Sequence, residues 1–198
     1  MLDSLVLKTS VKLVKSLDRS TDKNLPNELA DIVKFHTKGA TAGALAGAIP
    51  GVGAVISFLT SAGFIWSMYA RINKEIGIEL SENILKTIAS GIITNLGASI
   101  IGSVVVGSVL SVIPFVGSIG AIVVVGATVY GLTMASGIVY LKIMTNIFEA
   151  GEDPSKLSLD AMKNIAKEIS QEFDIKGFME EAKKEFKDKK DSGEFDEK

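Results

Sequence analysis

Residues 87–141 read TIASGIITNLGASIIGSVVVGSVLSVIPFVGSIGAIVVVGATVYGLTMASGIVYL, 55 positions without one Asp, Glu, Lys, Arg or His. Pro114 and Gly117 divide this run into halves of roughly 26 and 24 residues. As helices each half reaches about 36–39 Å, enough to cross a hydrocarbon core of about 30 Å with some tilt. Pro and Gly end helices and reverse the chain, so the run predicts a helical hairpin with its turn at Pro114 and Gly117.

A second charge-free run lies upstream, at residues 39–70. Pro50-Gly51 breaks it into residues 39–49, about 16 Å as a helix, and residues 52–70, about 28 Å. Trp66 and Tyr69 precede Arg71, and Tyr140 precedes Lys142. Aromatic rings beside cations are what a membrane interface selects, so Trp66, Tyr69, Arg71, Tyr140 and Lys142 are expected as interface anchors. The two runs also echo each other. Ile49-Pro50-Gly51-Val52-Gly53-Ala54-Val55 and Ile113-Pro114-Phe115-Val116-Gly117-Ser118-Ile119 share the pattern I-P-x-V-G-small-aliphatic. Two related hairpins, turning at Pro50/Gly51 and Pro114/Gly117, are the simplest reading.

Over the whole 198 residues the chain is 47% hydrophobic and 22% charged, with a net charge of −2. The charged fraction is ordinary, but its placement is not. All 21 basic and 23 acidic residues fall within 1–38, 71–86 and 142–198. That near balance offers no basic field for nucleic acid. With no cysteine there is no disulfide framework, thiolate nucleophile or thiolate metal site. No secretory signal pattern opens the chain.

Small residues recur every four positions inside the runs: Gly39, Gly43, Gly47 and Gly51; then Ser99, Ser103 and Gly107; then Ala127, Gly131 and Ala135. Four-residue spacing keeps them on one slowly drifting helical stripe. In lipid, helices gain little from hydrophobic drive and instead pack by close backbone approach. These ten positions are therefore expected to carry helix packing, within the hairpins or between copies. In water the same glycines are costly, about 0.5–1 kcal/mol each against Ala in a helix interior. A soluble form requires amphipathic helices to wrap the hairpins.

Such helices are present in the pattern. Residues 2–17 place Leu2, Leu5, Val6, Leu13, Val14 and Leu17 mostly on one face. Pro26 suits the first turn of a helix carrying Leu29, Ile32, Val33 and His36. Residues 158–173 carry Leu159, Met162, Ile165, Ala166, Ile169 and Phe173 at helical spacing, with Ser158 as N-cap. A last helix near 175–187 carries Phe178, Ala182 and Phe186, ahead of a charged tail.

Positive residues flank both runs, while the Pro114 turn has none. The positive-inside rule then leaves all three charged segments, and both termini, on the cytoplasmic side. That requires an even number of crossings, and the first run becomes a short or re-entrant hairpin.

Catalytic chemistry is not visible. His36 is the only histidine, so a paired-histidine metal site is excluded. There is no Gly-Lys-Ser/Thr step, and no G-x-S-x-G elbow. The charge-free runs hold no side chain suited to a proton relay. We expect no catalytic residues, no cofactor and no metal.

The two I-P-x-V-G turns, the helix at 58–72 leading into NKEIGIEL at 73–80, and the second Gly-rich hairpin carry a resemblance. Residues 36–145 resemble the hydrophobic domain of unknown function found C-terminal to some bacterial Era-like GTPases and in small standalone membrane proteins. The resemblance implies an all-helical membrane module, serving a GTPase in trans because this chain lacks every G-motif. It brings no catalytic residues with it.

The expected protein is an all-α helical membrane protein: N-terminal amphipathic helices at 1–38, a two-hairpin membrane domain at 39–145, and cytoplasmic helices with a charged tail at 146–198. Its expected setting is the bacterial inner membrane, with the lipid bilayer and a second copy or another membrane protein as partners. It would act without enzymatic activity, through helix association. The alternative is a pore-former or channel with a soluble form whose hairpins insert.

Overall fold

The computed structural model describes residues 27–46, 53–104, 119–193 and 195, and among these every regular element is helical. The helix expected at 2–17, and the turns at Pro50/Gly51 and Pro114/Gly117, lie outside the described residues. Six α-helices are described: α1 (Asn27–Ala46), α2 (Gly53–Ile76), α3 (Glu82–Val104), α4 (Ile119–Glu149), α5 (Leu159–Glu172) and α6 (Ile175–Asp191). A single 3₁₀ turn at Pro154–Lys156 links α4 to α5.

Local chemistry sets the boundaries. Glu28 in the first turn of α1 complements the positive end of the helix dipole. α2 ends where Gly77 enters the left-handed region at φ 74°. Gly77 N–H then donates to the Lys74 carbonyl at 3.3 Å and Ile78 N–H to the Asn73 carbonyl at 2.9 Å, the paired bonds of a Schellman stop. Gly151, also at φ 74°, stops α4 in the same way through Phe148 and Ile147. Ser158 caps α5 by accepting from Ala161 N–H at 3.2 Å, and Asp174 caps α6 by accepting from Gly177 N–H at 3.1 Å.

Helicity ignores the charge boundaries seen in the sequence. α1 runs unbroken through position 38/39, and α4 runs unbroken through 145/146 to Glu149. The charged stretch 71–86 is mostly helix as well, and only 77–81 turns the chain. Charge changes what a helix faces; at the ends of α2 and α4 it is Gly77 and Gly151 that interrupt the hydrogen bonding.

Contacts give the helix directions. Val33 and Leu45 of α1 meet Gly137 and Gly126 of α4, so these two helices are antiparallel. Tyr69 and Asn73 of α2 meet Ser136 and Tyr140 of α4, so that pair is parallel. The tight turn 77–81 reverses α2 into α3. Thus α1 and α3 run one way, and α2 and α4 the other. The ends of all four helices that adjoin the Pro–Gly segments share one end of the bundle, opposite turn 77–81.

α4 lies at the centre and touches the other five helices. Between residues 126 and 141 it is buried on almost every side, which fits a helix apolar all round. α5 and α6 are amphipathic in the ordinary sense. Met162 and Ala166 of α5 face inward, as do Ile175, Met179, Ala182 and Phe186 of α6, and most of their charged residues face outward. Full burial of a side chain such as Phe186 stabilises by about 1.5–3 kcal/mol relative to exposure.

Candidate functional site: the seams around α4

The small residues of the seams determine how closely helices approach. A Cβ built on Gly39 of α1 would stand 2.6 Å from Cε1 of Phe64 on α2. One built on Gly131 of α4 would stand 2.5 Å from the Met179 sulfur and 3.1 Å from Ala182 Cβ, both on α6. Ala127 and Ala135 are buried in the same helix, and Gly43 is half-buried on α1. Ser99 and Ser103 lie in α3, with side chains outside the described set; Gly47, Gly51 and Gly107 lie outside it altogether.

Two close approaches fall outside the four-residue stripes. A Cβ on Gly126 would meet Phe186 Cζ at 2.6 Å and Leu45 Cδ2 at 2.9 Å, and one on Gly137 would meet Val33 Cγ2 at 2.9 Å. The only signal for them in the sequence is a glycine inside an apolar helical run, which usually has a packing reason. By contrast, a Cβ on Gly63, Gly91 or Gly97 would meet nothing within 4 Å. Those three face open space on α2 and α3.

The expected interface anchors separate into two groups. Arg71 and Lys142 are exposed, each lying over a ring: Arg71 5.1 Å from Phe35, Lys142 5.2 Å from Phe173. Trp66 is half-buried, with the Lys86 ammonium 5.2 Å from its ring. Tyr69 and Tyr140, however, do not stand at a helix end facing outward. Both rings are fully buried and stacked, centroids 3.9 Å apart and planes 6° apart. The physical reason is length: α2 continues past Tyr69 to Ile76 and α4 past Tyr140 to Glu149. Parallel packing of the two helices then turns both rings into one seam.

Polar groups in that seam are mostly satisfied internally. Tyr140 hydroxyl donates to Asn73 Oδ1 at 2.7 Å, and Tyr69 hydroxyl bonds to Ser136. Asn73 Nδ2 and the Thr133 and Thr37 hydroxyls have no hydrogen-bond partner among the described residues. His36, buried on α1, places Nδ1 2.8 Å from the Ile32 carbonyl. Burial holds its pKa below the ordinary value of 6.5, against the pull of that hydrogen bond, and the charge of Arg71 pushes the same way as burial.

A shallow cleft of about 310 Å³ lies between α2 and α3, lined by Trp66, Lys86, Ser90, Ile93 and Thr94. Among the described residues, no group of three His, Asp or Glu side chains could hold a metal ion. What the seams can do is pack. Helices meet through glycine and alanine on one side and aromatic or methionine side chains on the other.

Among the described residues one helical stretch, Val125–Glu149, is long and apolar enough to cross a membrane, and 83% of its most apolar window is enclosed by protein. Comparisons with protein-family models, with curated proteins and with solved structures find no match to this chain.

Proposed function

We propose that this chain is a non-enzymatic membrane protein that enters the bilayer by two apolar helical hairpins and acts through helix association. The observation that carries the reading is the direction of α1 to α4. Their alternation brings the helix ends adjoining both Pro–Gly segments to one end of the bundle, as two hairpins entering one membrane from one side require. The charged turn between α2 and α3 and the charged loop that follows α4 belong to the opposite end, which the positive-inside rule makes the cytoplasmic one, while α6 folds back along α4 as far as Gly126. The partner is a second copy or a membrane-bound protein, and the resemblance noted above makes a GTPase in trans the first candidate. In a bacterial host the inner membrane is the expected setting.

Alkaline carbonate extraction of a membrane pellet tests this reading. Retention in the pellet, with cross-linked species above monomer, supports it. Full release as a monodisperse monomer removes it.

A second reading is favoured by a separate observation. The one stretch among the described residues that is long and apolar enough to span, Val125–Glu149, is mostly enclosed by protein. That is what a stored form of an inserting protein or pore-former requires before it meets lipid. Leakage of dye-loaded liposomes, lost in Gly43→Leu, distinguishes this reading from a passive scaffold.

A further inference from the structure

Two features of α4 cannot hold at once. Its apolar length extends to Leu141, yet α6 closes over it from Gly126 onward. Phe186 sits against Gly126, and Met179 and Ala182 sit against Gly131. Between them Tyr130 hydroxyl donates to Glu185 Oε1 at 2.6 Å, and Lys189 pairs with the same oxygen at 3.2 Å. Eleven of the 17 residues of α6 are charged, so α6 cannot follow α4 into hydrocarbon. With α6 in place, the face of α4 that carries Gly126, Tyr130 and Gly131 is closed to lipid.

α6 also has the format of a helix that lies on a lipid surface. Ile175, Met179, Ala182 and Phe186 form its buried face, while Lys176, Lys183, Lys184 and Lys187 are exposed beside Glu180, Glu181, Asp188 and Asp191. It joins α5 through Phe173 and Asp174 alone, so it can leave α4 without unwinding another helix.

We propose that the α4–α6 seam is the surface through which this chain takes up a lipid bilayer. α6 leaves the face of Gly126 and Gly131 and lays its own apolar face among the headgroups. The face of α4 so uncovered enters lipid. The inference rests on the membrane reading above and names the element that must move for it.

The test uses the full chain carrying G131C and A182C, in a protein that otherwise has no cysteine. Their Cβ atoms stand 3.1 Å apart, near the usual disulfide separation of about 3.8 Å. Met179, which must shift, ends in a flexible thioether. Flotation is measured on vesicles of phosphatidylglycerol and phosphatidylcholine. The oxidised form is expected to float about tenfold less than the reduced form, and the reduced form to match the parent chain. Phe186→Ala, which loosens the seam without a cross-link, is expected to float more than the parent.

Equal flotation of oxidised and reduced forms overturns the seam proposal while leaving the membrane reading intact. Failure of the disulfide to form overturns the contact itself. A parent chain that never floats removes the membrane reading and this inference together.

Discussion

Tyr69 and Tyr140 stack face to face in the interior, centroids 3.9 Å apart, joining α2 to α4. Each hydroxyl is held by a residue of the opposite helix, Ser136 for Tyr69 and Asn73 for Tyr140. The pair thus fastens the two parallel helices by ring area and by crossed hydrogen bonds. Tyr140→Phe keeps the ring and strands Asn73 Oδ1, an expected loss of about 1–3 kcal/mol. Tyr140→Ala removes the ring as well, an expected loss of about 3–5 kcal/mol. Urea unfolding of the two variants checks the order.

Glycines that look alike in the sequence are expected to differ sharply. Gly126→Ala forces a methyl against the buried Phe186 ring and is expected to cost about 1–3 kcal/mol. Gly91→Ala meets nothing within 4 Å. It is expected to gain about 0.5–1 kcal/mol from helix propensity alone. Thermal melts of both in one detergent or buffer separate contact glycines from idle ones.

His36 gives stability a pH dependence whose sign follows from its burial. Because its folded pKa lies below 6.5, the unfolded chain binds a proton more readily. The contribution is fully present above 6.5 and is lost as pH falls through that value toward the lower folded one. The groups facing it are Arg71 on α2 and, on its own helix, the ring of Phe35. The urea midpoint is expected to fall between about pH 7.5 and about pH 5.5, and His36→Gln to reduce that fall.

α6 is expected to protect the apolar core in solution. Phe186→Ala removes a fully buried ring from the seam, an expected loss of about 3–5 kcal/mol. A chain ending at residue 174 is expected to enter the membrane pellet more completely than the full chain, or to aggregate, because Gly126, Tyr130 and Gly131 lose their cover. Sedimentation of the truncated and full chains compares them directly.

The all-helical class was legible from the charge-free runs and their Pro–Gly breaks. The cap at Ser158 was legible too, since a serine ahead of an amphipathic run has one common use. Tyr69 and Tyr140 were not, because adjacency to Arg71 and Lys142 is a one-dimensional cue. Which way a ring faces depends on how far the helix continues and what packs beside it. The four-residue spacing singles out Gly39 and Gly131, and both stand in close contact with another helix. Nothing in the spacing says that the neighbour of Gly131 is the charged helix α6. Gly126 and Gly137 fall off the stripes, since α4 is approached from several sides at once and one stripe describes one neighbour.

The most direct measurement places an environment-sensitive fluorophore on Ser118→Cys, in the second Pro–Gly segment, and on Lys156→Cys, in the exposed 3₁₀ turn. Both chains are mixed with vesicles containing spin-labelled acyl chains. A blue-shifted signal at 118, quenched by the acyl-chain label, with an unquenched signal at 156, is the result expected of hairpins entering lipid from one side. Equal, unquenched, water-like emission from both positions would contradict it.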